Sequence, residues 1–142
     1  MRKISILMLT AFALVPLICP SPLGRKISRK TAFKLVQEAL ATKGLRVPPS
    51  QISQMTDYWS PEFFNFESLL GQSGDQPDAA LRNYFAVNPW NGDVWDAMEC
   101  ERITSPAIEK MQAVIWKRSG LPEEARQPLH YLHPGTCAAK DE

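Results

Sequence analysis

The sequence predicts an α+β domain: a small antiparallel sheet built around a β-hairpin at about 81–99, with one helix before it at about 29–43 and one after it at about 105–119. Three stretches carry that expectation. Leu81 to Cys100, LRNYFAVNPWNGDVWDAMEC, spells strand, turn and strand in consecutive residues. Ser28 to Gly44 and Thr104 to Gly120 each combine a start signal, apolar residues at helical spacing and a terminal glycine.

Met1-Arg2-Lys3 precedes an apolar run from Ile4 to Ile18, broken only by Ser5, Thr10 and Pro16, which is the layout of a secretory signal. The run is shorter than the roughly 20 apolar residues of a spanning helix. A cleaved signal at 1–24 is therefore expected, with the membrane touched only through this segment if it is retained. Ser21 and Gly24 are small enough to precede a cut, although Pro22 spoils the simplest cleavage pattern, so the mature start falls between 20 and 26. Leu17-Ile18-Cys19 is similar to a lipobox, but Ile18 stands where that motif needs a small residue; a lipid-modified Cys19 is the alternative.

A single α+β domain at 25–121 and a proline-rich C-terminal tail at 122–142 follow. In the first helix Ala32, Phe33, Leu35, Val36, Ala39 and Leu40 form the apolar stripe, Ser28 or Thr31 caps the start, Gly44 supplies a left-handed stop, and Pro48-Pro49 forbids continuation. QISQMTDYWSPEFFNFESLL, rich in aromatics and cut by Pro61, suggests strands near 55–59 and 63–66. GQSGDQPD is then a polar loop; Asp75 and Asp78 lack the spaced carboxylates of a calcium loop. In the hairpin, Pro89 presets a type I turn opening at Asn88 with Gly92 left-handed, or Asn91-Gly92 forms a two-residue primed turn; both pair the same flanking residues. Thr104-Ser105-Pro106 opens the second helix, with Ile108, Met111 and Ile115 inward, Ala107, Val114 and Trp116 as further candidates for the buried face, and Lys117-Arg118 at its negative end. Beyond Leu121 the prolines predict an extended tail.

With 16 Lys+Arg against 15 Asp+Glu and no run of five like charges, no nucleic-acid backbone is implied as a partner. Once Cys19 leaves with the signal, Cys100 and Cys137 remain in a chain bound for an oxidising compartment, and the pair is expected to form one disulfide. The rival reading is a metal site from His130, His133, Cys137 and Cys100, whose spacing matches no standard zinc motif. No metal and no cofactor are expected. The acidic residues Asp93, Asp96, Glu99 and Glu101 are expected to form a solvated strand face.

The helix at Thr31-Ala32 and Leu35 to Leu40, followed by the hairpin Tyr84 to Val94, resembles the PepSY-type domain of small exported bacterial proteins. Asn88-Pro89-Trp90-Asn91-Gly92-Asp93-Val94 looks like that family's Asp-Pro-x-Thr-Gly-x-Val turn, with Asn88 in place of the usual Asp. The resemblance covers about half of the mature chain; the segment from Gln51 to Leu70 is longer and more aromatic than the family's, and the helix after Thr104 lies outside the pattern. It implies an exported non-enzymatic module of a kind proposed to inhibit or chaperone peptidases, and transfers no catalytic residue.

Function is therefore expected to be that of a periplasmic or secreted binding or inhibitory module with a protein or peptide partner in the cell envelope. Tyr58, Trp59 and Trp90 are the candidate binding surface, since aromatic residues anchor interfaces; taken singly, Trp59 and Trp95 are more simply core, with Trp90 exposed. No catalytic residue is expected, because no serine sits in a nucleophile elbow and a disulfide consumes the thiols. A structural envelope component or lipoprotein is one alternative, and a hydrolase using His130 or His133 with Asp93, Asp96 or Glu99 is another.

Overall fold

The computed structural model describes residues 24–56, 62–69, 82–135 and 137. Residues 1–23 of the expected signal, Tyr58, Trp59 and the polar loop lie outside the described residues. The first helix, α1 (Arg29–Thr42), begins where the Ser28 hydroxyl accepts from the Thr31 N–H at 3.2 Å, satisfying an orphan donor of the first turn. It ends on Gly44 at φ 73°, with the Lys43, Gly44 and Leu45 N–H groups donating back to Ala39, Ala41 and Leu40.

Five strands follow as an antiparallel meander, neighbouring in chain order: β1 (Ile52–Met55), β2 (Phe64–Leu69), β3 (Arg82–Val87), β4 (Val94–Asp96) and β5 (Glu101–Ile103). The register sets Phe66 opposite Phe85, Val87 opposite Val94 and Val94 opposite Ile103, so one sheet face carries a continuous apolar row. Onto it α1 lays Leu35, Val36, Ala39 and Leu40, and the second long helix, α2 (Pro106–Ser119), lays Ile108 and Ile115. Each leucine, isoleucine and valine among them contributes roughly 1.5–3 kcal/mol when fully buried, so this layer is what holds the domain. The capped start at Ser105-Pro106 and the left-handed Gly120 match the expected signals.

The α+β class and the helix on either side of the hairpin agree with the sequence; four local features differ. The first strands lie at 52–55 and 64–69, because the buried Ile52 pairs with Ser68 whereas aromatic content alone drew the expected strand toward Tyr58. A fifth strand continues the hairpin: Asp96 Oδ1 accepts from the Met98 and Glu99 N–H groups at 2.9 and 3.1 Å, and this turn aligns β5 with β4. Asp93 and Asp96 are buried rather than solvated, while Glu99 and Glu101 are exposed. The described part of the tail is not extended. Its residues form a 3-10 turn at Glu123–Ala125 and a short helix, α3 (Arg126–His130), and then turn onto the sheet face opposite α1. There Phe63, Ala86 and Trp95 form a second small cluster, and the His133 ring stacks edge-on against Trp95 with centroids 4.9 Å apart.

Candidate functional site

The hairpin loop is the structural hub. Asn88 closes it by donating its N–H to Asp93 O at 2.8 Å, and Gly92, at φ 75°, donates to Asn88 O at 3.0 Å, which selects the turn opening at Asn88. The Asn88 and Asn91 side-chain oxygens accept from the N–H groups of Trp90 and Asp93, each at 2.9 Å, so the loop is held by its own amides. Both amides also donate outward, at 3.2 Å each, to the carbonyl of Leu129 in α3. The tail is thus fastened to the loop through one backbone oxygen.

At the centre of this region lies the Asp93 carboxylate. It accepts from Asn91 Nδ2 at 2.7 Å and from Gln112 Nε2 of α2 at 3.0 Å, and it faces His130 Nδ1 at 3.3 Å and the Arg102 guanidinium at 3.8 Å. Burial pushes its pKa above the usual carboxylate value, while His130, Arg102 and the Asn91 amide pull the other way. Arg102 also contacts the His130 ring directly. Of the acid–base pairs the sequence offers, the fold brings together Asp93 and His130. Asp96 instead pairs with Lys43 at the end of α1, and His133 lies against Trp95. With every Asp93 partner coming from a different element, the arrangement is suited to joining loop, β5, α2 and tail.

Cys100 and Cys137 form the expected disulfide, with Cα atoms 5.3 Å apart. Cys100 holds a left-handed backbone, φ 58°, at the end of the β4–β5 turn. Both thiols of the rival metal set are therefore spent, and its two histidines are engaged with Asp93 and Trp95. Among the described residues no group of three or more His, Cys, Asp or Glu is spaced to hold a metal ion.

A second feature lies between the start of α1 and the outer side of α2. Here a groove of about 620 Å³ has a floor of Ile27, Met111, Val114 and Ile115, within the size range of ligand clefts, ~300–1,000 Å³. Val114, a candidate for the buried face from its helical spacing, is 47% exposed, because it lies on the outer side of α2. Arg25, Lys26, Lys34, Lys110 and Arg118 stand around the rim with the hydroxyls of Ser28 and Thr31, and no carboxylate lines it. The hairpin loop and the end of α2 together position this groove: Ile27 N–H donates to Pro89 O at 2.7 Å, and Arg25 N–H donates to Ser119 O at 2.9 Å. Of the three aromatic residues expected at a binding surface, Trp90 is described; it is half-buried, with Lys26 Nζ 4.8 Å above its ring. The cationic rim was not legible as a site. Its signal in the sequence was only the i, i+8 pair Lys110 and Arg118 and the basic Arg25-Lys26, which lie on no common element.

No protein-family model matches the sequence, and neither does any curated protein. The fold is similar to that of a chain in the structure of a type VI secretion system effector-immunity complex from Pseudomonas protegens, with TM-score 0.55 and 16% identity, covering 74% of this chain and 87% of that chain. At that identity the likeness is one of fold.

Proposed function

We propose that this protein is a small exported module that acts by binding, and thereby inhibiting, another protein of the cell envelope. The observation that carries the reading is the open groove between α1 and α2, whose walls present apolar, hydroxyl and cationic groups and whose lining includes no carboxylate, histidine or thiol to serve as base or nucleophile. The fold likeness to a chain of an effector-immunity complex supports a protein partner. Export is supported by the basic-apolar amino terminus and by the Cys100–Cys137 disulfide, which persists in oxidising compartments. The PepSY-type resemblance of the first helix and hairpin points the same way. Affinity capture from the native envelope, with intact-mass analysis of the exported chain, tests the reading. One co-purifying envelope protein and a processed amino terminus are the expected result, and an uncut chain in the cytoplasm without a partner would overturn it.

A hydrolase reading is favoured by one observation, the Asp93–His130 approach at 3.3 Å with the His130 side chain 46% exposed. Against it, Arg102 places a fixed cation on the same ring and Asp93 is committed to Asn91 and Gln112. Hydrolysis of a peptide, ester or glycan substrate that disappears in His130→Ala would move the assignment to this second reading.

A further inference from the structure

We infer that the groove between α1 and α2 receives an acidic segment of a partner protein that seats apolar side chains on the floor and carboxylates against the rim. The inference rests on the binding reading above and names the surface and the chemistry of what fills it.

Charge complementarity identifies the occupant. The chain as a whole carries a net charge of +1, yet the groove gathers five cations and no carboxylate, so the basic character is local. Among the described residues, none of the five forms an ion pair; Lys26 alone has a counter-group, the Trp90 ring. The amino-terminal end of α1 opens at the same place and has no acidic residue in its first turn, so its partial positive charge is also uncompensated. Lys110 and Arg118 lie eight residues apart on α2, about 12 Å along the helix, which matches an extended or helical segment better than a single small anion. The floor, with Val114 and Met111, then requires apolar side chains as well as charge, as in an amphipathic helix laid in a groove.

Other occupants fit less well. The chain's own amino-terminal segment carries Arg2 and Lys3 and no acidic residue, so it repels the rim. The loop bearing Asp75 and Asp78 leaves the sheet at Leu69 and returns at Arg82, at the end of β3 away from the Pro89 turn beside which the groove lies. A nucleic acid has no use for an apolar floor, and a membrane surface does not follow a concave groove.

The test uses protein purified from the producing cell and short fluorescein-labelled peptides with leucines on one helical face and glutamates on the other. Anisotropy should report binding that weakens with salt. Replacing glutamate by lysine, or leucine by serine, should abolish it. Lys34→Glu with Lys110→Glu should weaken binding by at least about tenfold, since each exposed attraction becomes a repulsion, with an unchanged melting temperature. Val114→Asp probes the floor independently. Equal binding by the double variant, equal binding of the serine peptide, or binding of phosphatidylglycerol vesicles without binding of the acidic peptide would overturn the inference. In envelope capture, a partner retained by the double variant overturns the groove assignment while the binding-module reading stands; a partner lost with the variant supports both.

Discussion

Replacing Gly92 by alanine adds one methyl group where backbone and packing both resist it. At φ 75° a side chain costs about 1–2 kcal/mol in the left-handed region. The added Cβ would then lie 2.7 Å from Ile115 Cδ1 and 3.2 Å from Leu35 Cδ1, two methyl groups of the buried layer between the helices and the sheet. Displacing them costs about 1–3 kcal/mol, toward the lower end if Ile115 finds another rotamer. A total of about 2–5 kcal/mol is expected for Gly92→Ala. Gly44 and Gly120 supply internal controls: their φ values are 73° and 71°, and an added Cβ meets nothing within 4 Å, so Gly44→Ala and Gly120→Ala should show the backbone cost alone. Urea unfolding under non-reducing conditions, compared as midpoint shifts at constant slope, gives the difference directly. A Gly92→Ala midpoint no lower than that of Gly44→Ala would refute the claim that the hairpin loop is wedged beneath both helices.

Loss of the disulfide in Cys137→Ser should lower stability by about 4 kcal/mol on the chain-entropy model for a separation of 37 residues; two reactive thiols in unreduced, denatured wild-type protein would contradict the pairing. Because burial raises the Asp93 carboxyl above its unfolded value, the native state holds that proton more tightly, so its contribution is fully present below the unfolded pKa, about 3.9, and is lost as pH rises through the folded value. The melting-temperature advantage of wild type over Asp93→Asn should accordingly shrink as pH rises from about 3.9 through the folded value; an advantage that grows with pH would run against the burial argument. Asp96→Ala leaves two turn N–H groups without their acceptor and should cost about 1–3 kcal/mol. Lys43→Met should cost less, since Lys43 is one-third exposed and its pair with Asp96 is screened; equal losses in denaturant titration would assign the cost to the ion pair instead.

What the sequence determined by itself was where the helices start and stop and where the chain turns. Ser28, Ser105-Pro106, Gly44 and Gly120 mark helix ends because a cap or a left-handed residue is chosen by its own few neighbours, and Asn88 to Gly92 marks a turn for the same reason, while the hydrogen bond from Gly92 N–H to Asn88 O decides which of the two turns forms. The bridge between Cys100 and Cys137 was legible by elimination, since setting Cys19 aside with the expected signal leaves two cysteines and one pairing. Tertiary structure decided what depends on partners distant in the chain. β5 has three residues, two of them charged, and no periodicity of its own; it becomes a strand by pairing with β4. Asp96 became a buried residue because α1 brings Lys43 across 53 positions, and Asp93 because Gln112 and His130 converge on it from α2 and α3. The tail folded without an apolar stripe because Asn88, Asn91 and the disulfide hold it by hydrogen bonds and a covalent link, neither of which leaves a periodic trace. The cationic groove is the furthest from the sequence: its rim comes from the entry to α1 and from two helices, and only their packing puts the five charges around one apolar floor.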